Sequence, residues 1–149
     1  MNFSRFLNYA QWADARTLEM LKANPKVESK AWALFSHMLA AEHLWLCRLQ
    51  GRNPDTALWP ELGYEECLHL LEMNFLGYSD YLKNNSENLS TTIKYQTTKG
   101  EHFETSAMDI LYQVMTHGAY HRGQISEAIR RSGGQITNTD FIAFLRESH

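Results

Sequence analysis

From Phe3 to Ala23 the apolar residues Phe6, Leu7, Ala10, Trp12, Leu18, Met20 and Leu21 recur mostly at three-to-four spacing, the period of a helix with one buried face. Pro25 cannot continue such a helix and marks its stop. A second set, Trp32, Leu34, Met38, Ala41, Trp45 and Leu49, predicts a helix capped by Ser29 and closed by Gly51 before the loop NPDTALWPE. The third runs from about Tyr64 to Leu82 through Leu68, Leu71, Phe75, Leu76 and Tyr78, and ends in the polar turn KNNSEN. Between Ser90 and Thr105 the period changes, with Thr, Ile, Tyr and Phe alternating around Lys99 and Gly100, which predicts a small hairpin. A fourth helix opens at SAMD, a capping-box pattern with Asp for the usual Glu, and runs to about Arg131 before Gly133 and Gly134. Thr139 to Glu147 predicts a short final helix through Phe141, Phe144 and Leu145. The expected fold is all-α: an up-and-down four-helix bundle with a small β-hairpin excursion between helices three and four and a short C-terminal helix.

The length of 149 residues suits one domain spanning 1–149, and no repeat, low-complexity tract or linker divides it. Apolar residues at 44% and charged ones at 21% are ordinary for a chain that folds. The formal net charge of −3, from 14 basic and 17 acidic side chains without a basic block, argues against nucleic acid as partner. Arg5, Asn8, Gln11 and Asp14 interrupt the apolar run that a signal peptide needs, and no later run reaches transmembrane length. A soluble, cytoplasmic protein without a membrane partner is expected. Cys47 and Cys67 lie in helical patterns without CxxC spacing and read as buried thiols.

Chemistry concentrates in THGAYHRGQI, Thr116 to Ile125. At about 100° per residue, His117 and His121 lie roughly 40° apart and one turn along the helix, within reach of one metal ion. Ile110, Val114, Ile125 and Ala128 share their side of the wheel, so both imidazoles face the bundle interior. Alone, the pair reads first as two core histidines satisfied by hydrogen bonds. A metal needs a third ligand from another helix, and helix two offers His37 and His43. His37 lies at the edge of the apolar stripe and is preferred; His43 lies nearly opposite and is left to solvent or the rim. His69 and His102 read as surface residues, and the terminal His149 takes no part.

Gln113, Gln124, Tyr120 and Arg122 surround the pair as candidate orienting groups, with a surface charge or an ion pair as the plainer account of Arg122. Gly118 and Gly123 suggest close approach by another helix, because each costs roughly 1 kcal/mol relative to Ala in a helix. Trp12, Trp32, Trp45, Phe75 and Tyr78 are expected in the core, while Trp59 is a candidate to pack over a pocket mouth. No GxSxG, Walker loop, GxGxxG or HExxH occurs, and Glu42 is only a remote candidate for a general base.

SHMLAAEHLWLCRLQG, Ser36 to Gly51, followed some seventy residues later by HxxxHRGQI, resembles the DinB family of bacterial metal-binding four-helix proteins. The resemblance covers essentially the whole chain, including the opening FLNYAQWADARTL and the late TDFIAFLRE. It implies a three-histidine metal site at His37, His117 and His121, holding one divalent transition metal ion per chain, zinc or nickel foremost and iron or copper next. It further implies a homodimer and, from relatives that use mycothiol, bacillithiol or related low-molecular-weight thiols, a thiol-dependent transferase or isomerase. The family's name comes from damage induction and implies no DNA binding. The leading expectation is a metal-dependent S-transferase, then a hydrolase, acting on a small molecule through a metal-bound water or thiolate. The alternatives are a non-enzymatic homodimer with a structural metal, or a stress-response protein that binds a small ligand.

Overall fold

A computed structural model describes residues 3–147, so His149 lies outside the described residues. Its elements are α1 (Phe3–Ala23), α2 (Ser29–Leu49), α3 (Tyr64–Asn85), β1 (Thr92–Gln96), β2 (His102–Ser106), α4 (Ala107–Arg131) and α5 (Phe141–Glu147). The helical periods therefore mark the real elements, with α3 running three residues past the expected Leu82. Two ends behave as their residues predict. Gly51 takes a φ of 66°, closing α2 with Arg52 N–H bonded to the Cys47 carbonyl at 2.8 Å. Ser106 caps α4, its hydroxyl accepting from Asp109 N–H at 3.1 Å. The start of α2 differs: the cap position is Glu28, without a side-chain cap bond, and Ser29 is already helical.

The four long helices align along one axis, and the bundle carries one non-alternating step. Bonds from α2 to α3 join Ser36 to Cys67, the Leu39 carbonyl to Asn74 and the Glu42 carbonyl to Tyr78, climbing both helices together. The two helices are thus parallel, and so are α1 and α4, which meet at Phe3 with Tyr112 and at Asp14 with Arg122. Each of α1 and α2 packs on both α3 and α4, which places α1 and α2 across the diagonal. Because α3 starts at the level where α2 starts, residues 50–63 must return along the bundle. A helix of 21 residues is about 30 Å long, within the roughly 45 Å that this segment can span when extended.

The core has two apolar ends with a polar layer between them. Leu18, Leu21, Phe35, Met38, Leu39 and Ile125 pack at one end; Leu7, Leu46, Tyr78, Leu82, Ile110 and Leu111 at the other. At mid-height stand Asp14, Glu42, Asn74 and Arg122, one from each long helix and all buried. The Arg122 guanidinium donates to Asp14 at 2.7 Å, and a hollow of about 20 Å³ lined by Asp14, Glu42 and Asn74 has room for one water molecule. Arg122 is therefore a buried ion-pair partner, not a surface charge. Gly118 makes space for this layer, since a Cβ there would sit 3.0 Å from Arg122 Nη1 and 3.4 Å from Glu42 Oε1. Gly123, by contrast, faces open space, so its expected close approach is absent. The aromatics divide similarly: Tyr78 is core, whereas Trp12, Trp32, Trp45 and Phe75 are only half-buried. Trp12 packs edge-on against Phe144 of α5, and Trp45 against Tyr95 of the hairpin.

The hairpin pairs Thr92 with Ser106 through Gln96 with His102, with the turn at Gly100 in the left-handed region, φ 85°. Among the described residues no helix is long and apolar enough to cross a membrane.

Burial raises the Glu42 carboxyl well above its ordinary range, and the Asp14 carboxylate pushes it further, against the opposing pull of Arg122 and Asn74. Asp14 makes the direct ion pair with Arg122 at 2.7 Å, and burial raises its carboxyl too, against the opposing pull of that guanidinium. Removing Arg122 strands a buried carboxylate, so Arg122→Ala should cost about 3–5 kcal/mol in urea unfolding. Glu42→Gln should behave oppositely. A raised folded-state pKa means that the unfolded chain releases its proton first, so wild-type stability falls as pH rises above the ordinary carboxyl value; the Gln variant should gain on wild type between acidic and alkaline pH.

Candidate metal centre

His37 projects from a stretch of α2, Leu34 to Glu42, in which every residue is buried. Two helices cover two sides of α2, and the returning segment 50–63 covers a third, which explains why a surface-length helix reads as buried all round. That segment supplies the Leu58 carbonyl, 2.9 Å from His37 Nδ1, and the Trp59 indole, stacked on the His37 ring at 3.8 Å between centroids and 9° between planes. A carbonyl only accepts, so His37 Nδ1 carries a proton, and it is Nε2 that is left to face the site. Trp59 thus lies over the site as a lid residue, itself 58% exposed.

From α4, His117 and His121 face His37 across the α2–α4 seam, with centroid separations of 5.4 and 5.1 Å. Each of the three residues offers a ring nitrogen within 4.8 Å of the other two. His121 Nδ1 donates to Gln124 Oε1 at 2.8 Å, and Gln124 Nε2 in turn donates to the Tyr120 hydroxyl. With its proton on Nδ1, His121 presents a bare Nε2, which accepts from His117 Nε2 at 3.1 Å. Two ring nitrogens on one tetrahedral ion at 2.0–2.1 Å would be about 3.3 Å apart, so the rings need almost no movement to share an ion once the His117 proton shifts from Nε2 to Nδ1. The donor set fits a borderline divalent metal: three imidazoles, two of them oriented through Nδ1. Among the described residues no fourth His, Cys, Asp or Glu joins the trio.

Of the other residues singled out by sequence, Gln124 and Tyr120 orient His121, while Gln113 is exposed. Arg122 points away from the trio to Asp14, and its guanidinium lies 5.5 Å from the centre of the Tyr9 ring. Glu42 sits in the same buried layer. His69 and His102 are exposed, as expected. His43 is not a solvent residue: Nδ1 bonds Asn74 Oδ1 at 3.1 Å and Nε2 lies 2.7 Å from Asp55 Oδ1. Cys47 and Cys67 are free, buried thiols. The Leu58 carbonyl could not be foreseen, because a backbone group carries no residue signal. Asp14 could have been, since it stands one turn before Leu18 on the buried stripe of α1.

Burial, then the neighbouring His121 and His37, lowers the His117 pKa to about 4, and burial lowers His121 as well. Both rings therefore stay neutral at physiological pH, the form a metal requires. Between about pH 6.5 and about pH 4 the unfolded chain binds a proton at residue 117 that the folded chain refuses, so stability is lost on acidification. Metal-free His117→Asn should therefore gain stability relative to metal-free wild type as pH falls through that window, read from urea midpoints. A constant difference would contradict the sign.

The family profile described as DinB family matches residues 1–148. Protein DinB of Bacillus subtilis (strain 168) is 25% identical over 158 residues, covering 95% of this chain and 92% of that protein. No solved structure matches the chain. The helical bundle, the histidine trio at its α2–α4 seam and the whole-length profile match agree, and the chain belongs to the DinB family.

Proposed function

We propose that this chain is a divalent-metal-dependent enzyme that holds its metal with His37, His117 and His121 and transfers a low-molecular-weight thiol to a small electrophile. Hydrolysis of a small substrate is the second choice of reaction. The observation that carries the reading is the convergence of three imidazoles, two of them turned by Nδ1 hydrogen bonds, with no fourth protein ligand among the described residues. Three protein ligands are the pattern of a metal site with a position left for substrate, whereas structural sites are closed by four. A divalent ion there supplies Lewis acidity, lowering the pKa of a thiol or water that takes the open position.

The chain's own residues do the positioning. Leu58 and Gln124 fix the rings of His37 and His121, so neither must reorient on binding. Trp59 covers His37 and excludes water from that side, while the exposed Tyr120 sets its ring edge-on to His121 at 5.3 Å and marks the opposite rim. Arg122 is committed to Asp14 and is not free to clamp an anionic substrate. The thiol reading follows the family resemblance.

Elemental analysis of tag-free protein, paired with a screen of small thiols against electrophiles, tests this directly. Each of His37→Ala, His117→Ala and His121→Ala should lower the metal content by about one ion per chain and abolish thiol transfer. Unchanged metal content in all three would remove the site. Loss of metal with a lower Tm, but with no thiol transfer or hydrolysis by wild type, would leave a structural metal in place of an enzyme.

A further inference from the structure

A second cluster of ligating side chains lies on the other side of α2. His43 and Cys47 stand one turn apart, with Cys47 Sγ 3.5 Å from His43 Nε2, and Asp55 of the returning segment reaches the same nitrogen at 2.7 Å. One ligand atom from each lies within 4.8 Å of the other two. His43 is six residues beyond His37, about 240° around the helix, so it faces α3 and not α4.

The hydrogen bonding around His43 leaves a place for a cation. Asn74 is 3% exposed and its amide donates to the Leu39 carbonyl at 3.0 Å, which leaves its Oδ1 as the acceptor for His43. The proton of a neutral His43 is therefore on Nδ1, and Nε2 presents a lone pair. That lone pair faces a carboxylate oxygen at hydrogen-bond distance, an arrangement that requires either a proton or a metal ion between the two. The thiol beside them decides which chemistry the cluster suits. A sulfur and an imidazole nitrogen bound to one tetrahedral zinc at about 2.3 and 2.0–2.1 Å are about 3.5 Å apart, the separation already present. Nitrogen and carboxylate oxygen would need about 3.4 Å, an opening of under 1 Å that the exposed Asp55 can make.

We propose that His43, Cys47 and Asp55 form a second divalent-metal site, selective for a thiophilic ion such as zinc, with Asn74 as the positioning residue that turns the His43 ring. Coordination releases the Cys47 thiol proton and whatever proton bridges His43 and Asp55, giving one thiolate, one neutral imidazole and one carboxylate on the ion. These three ligands leave a fourth position for water. The site ties residue 55 to α2 only three residues from Leu58, whose carbonyl orients His37, so its occupation would brace the segment that covers the histidine trio.

Sulfur makes the two sites separable by spectroscopy, because the histidine trio contains none. Metal-free full-length protein is titrated with cobalt(II) chloride and the near-ultraviolet thiolate-to-cobalt charge-transfer absorption is followed. The band should develop in wild type, in the triple variant His37→Ala/His117→Ala/His121→Ala and in Cys67→Ser, and be absent in Cys47→Ser. Added zinc should bleach it. Asn74→Ala should weaken cobalt binding at this site by about 10–100-fold, as loss of an outer orienting group does elsewhere. Asp55→Asn, an exposed change that leaves the core untouched, should weaken it as well. The proposal is overturned if wild type shows no thiolate band at saturating cobalt, if the band survives in Cys47→Ser, or if it disappears in Cys67→Ser; the first result would identify the cluster as a protonated His43 paired with Asp55.

Discussion

The parallel run of α2 and α3 is the constraint on which the rest of the molecule depends. Two parallel helices joined in sequence require a connection that crosses the full length of the bundle, and residues 50–63 make that crossing over α2. The path is what delivers the Leu58 carbonyl and the Trp59 indole to His37, and Asp55 to His43. A tight α2–α3 turn would leave His37 Nδ1 without its carbonyl and His43 Nε2 without its carboxylate. The crossing also accounts for the near-complete burial of α2, whose buried set exceeds what an amphipathic stripe provides.

The second support comes from below. A bundle held only by its two apolar ends could slide along its axis with little change in buried area, because hydrophobic contact is non-directional. The mid-height layer adds direction. Arg122 reaches Asp14 from the residue next to His121, and this buried bond sets α4 against α1 at the height where the trio must meet α2. Asn74 and the Tyr78 hydroxyl, bonded to the Leu39 and Glu42 carbonyls, set α3 against α2. The position of His121 thus rests on directional bonds on one side and apolar packing on the other.

The elements were legible because helices announce themselves locally: the apolar period, Gly51 and the Ser106 cap lie within the segments they define. His117 and His121 were legible for the same reason, being one turn apart on one wheel. His37 became the preferred partner through its place at the stripe's edge. What stayed hidden is nonlocal. A helix wheel has no end-to-end sense, so the parallel direction of α2 and α3 left no trace in the period. His43 was left to solvent or the rim because the wheel knows only the stripe, and the crossing segment that covers it reads simply as a Pro-containing loop. Arg122 was undecided because its partner lies 108 residues away in α1.

Both clusters share one construction, and it determines where each should be weak. Each takes an i, i+4 pair from a long helix, His117 with His121 or His43 with Cys47, and each depends on the crossing segment for a further contact. The helix pairs are held by backbone hydrogen bonds and persist while the bundle persists. The crossing segment has no such ladder, and its residues are exposed except where Thr56, Leu58, Pro60 and Leu62 are half-buried. Segments of this kind open at lower free energy than the helices they lie on. Opening would free the Nδ1 proton of His37 and lift Trp59 while leaving His117 and His121 in place, so the trio would lose its orientation from one side only. An ion bridging Asp55 to α2 would oppose that opening, and the second cluster would then stabilise the first without touching His37, His117 or His121.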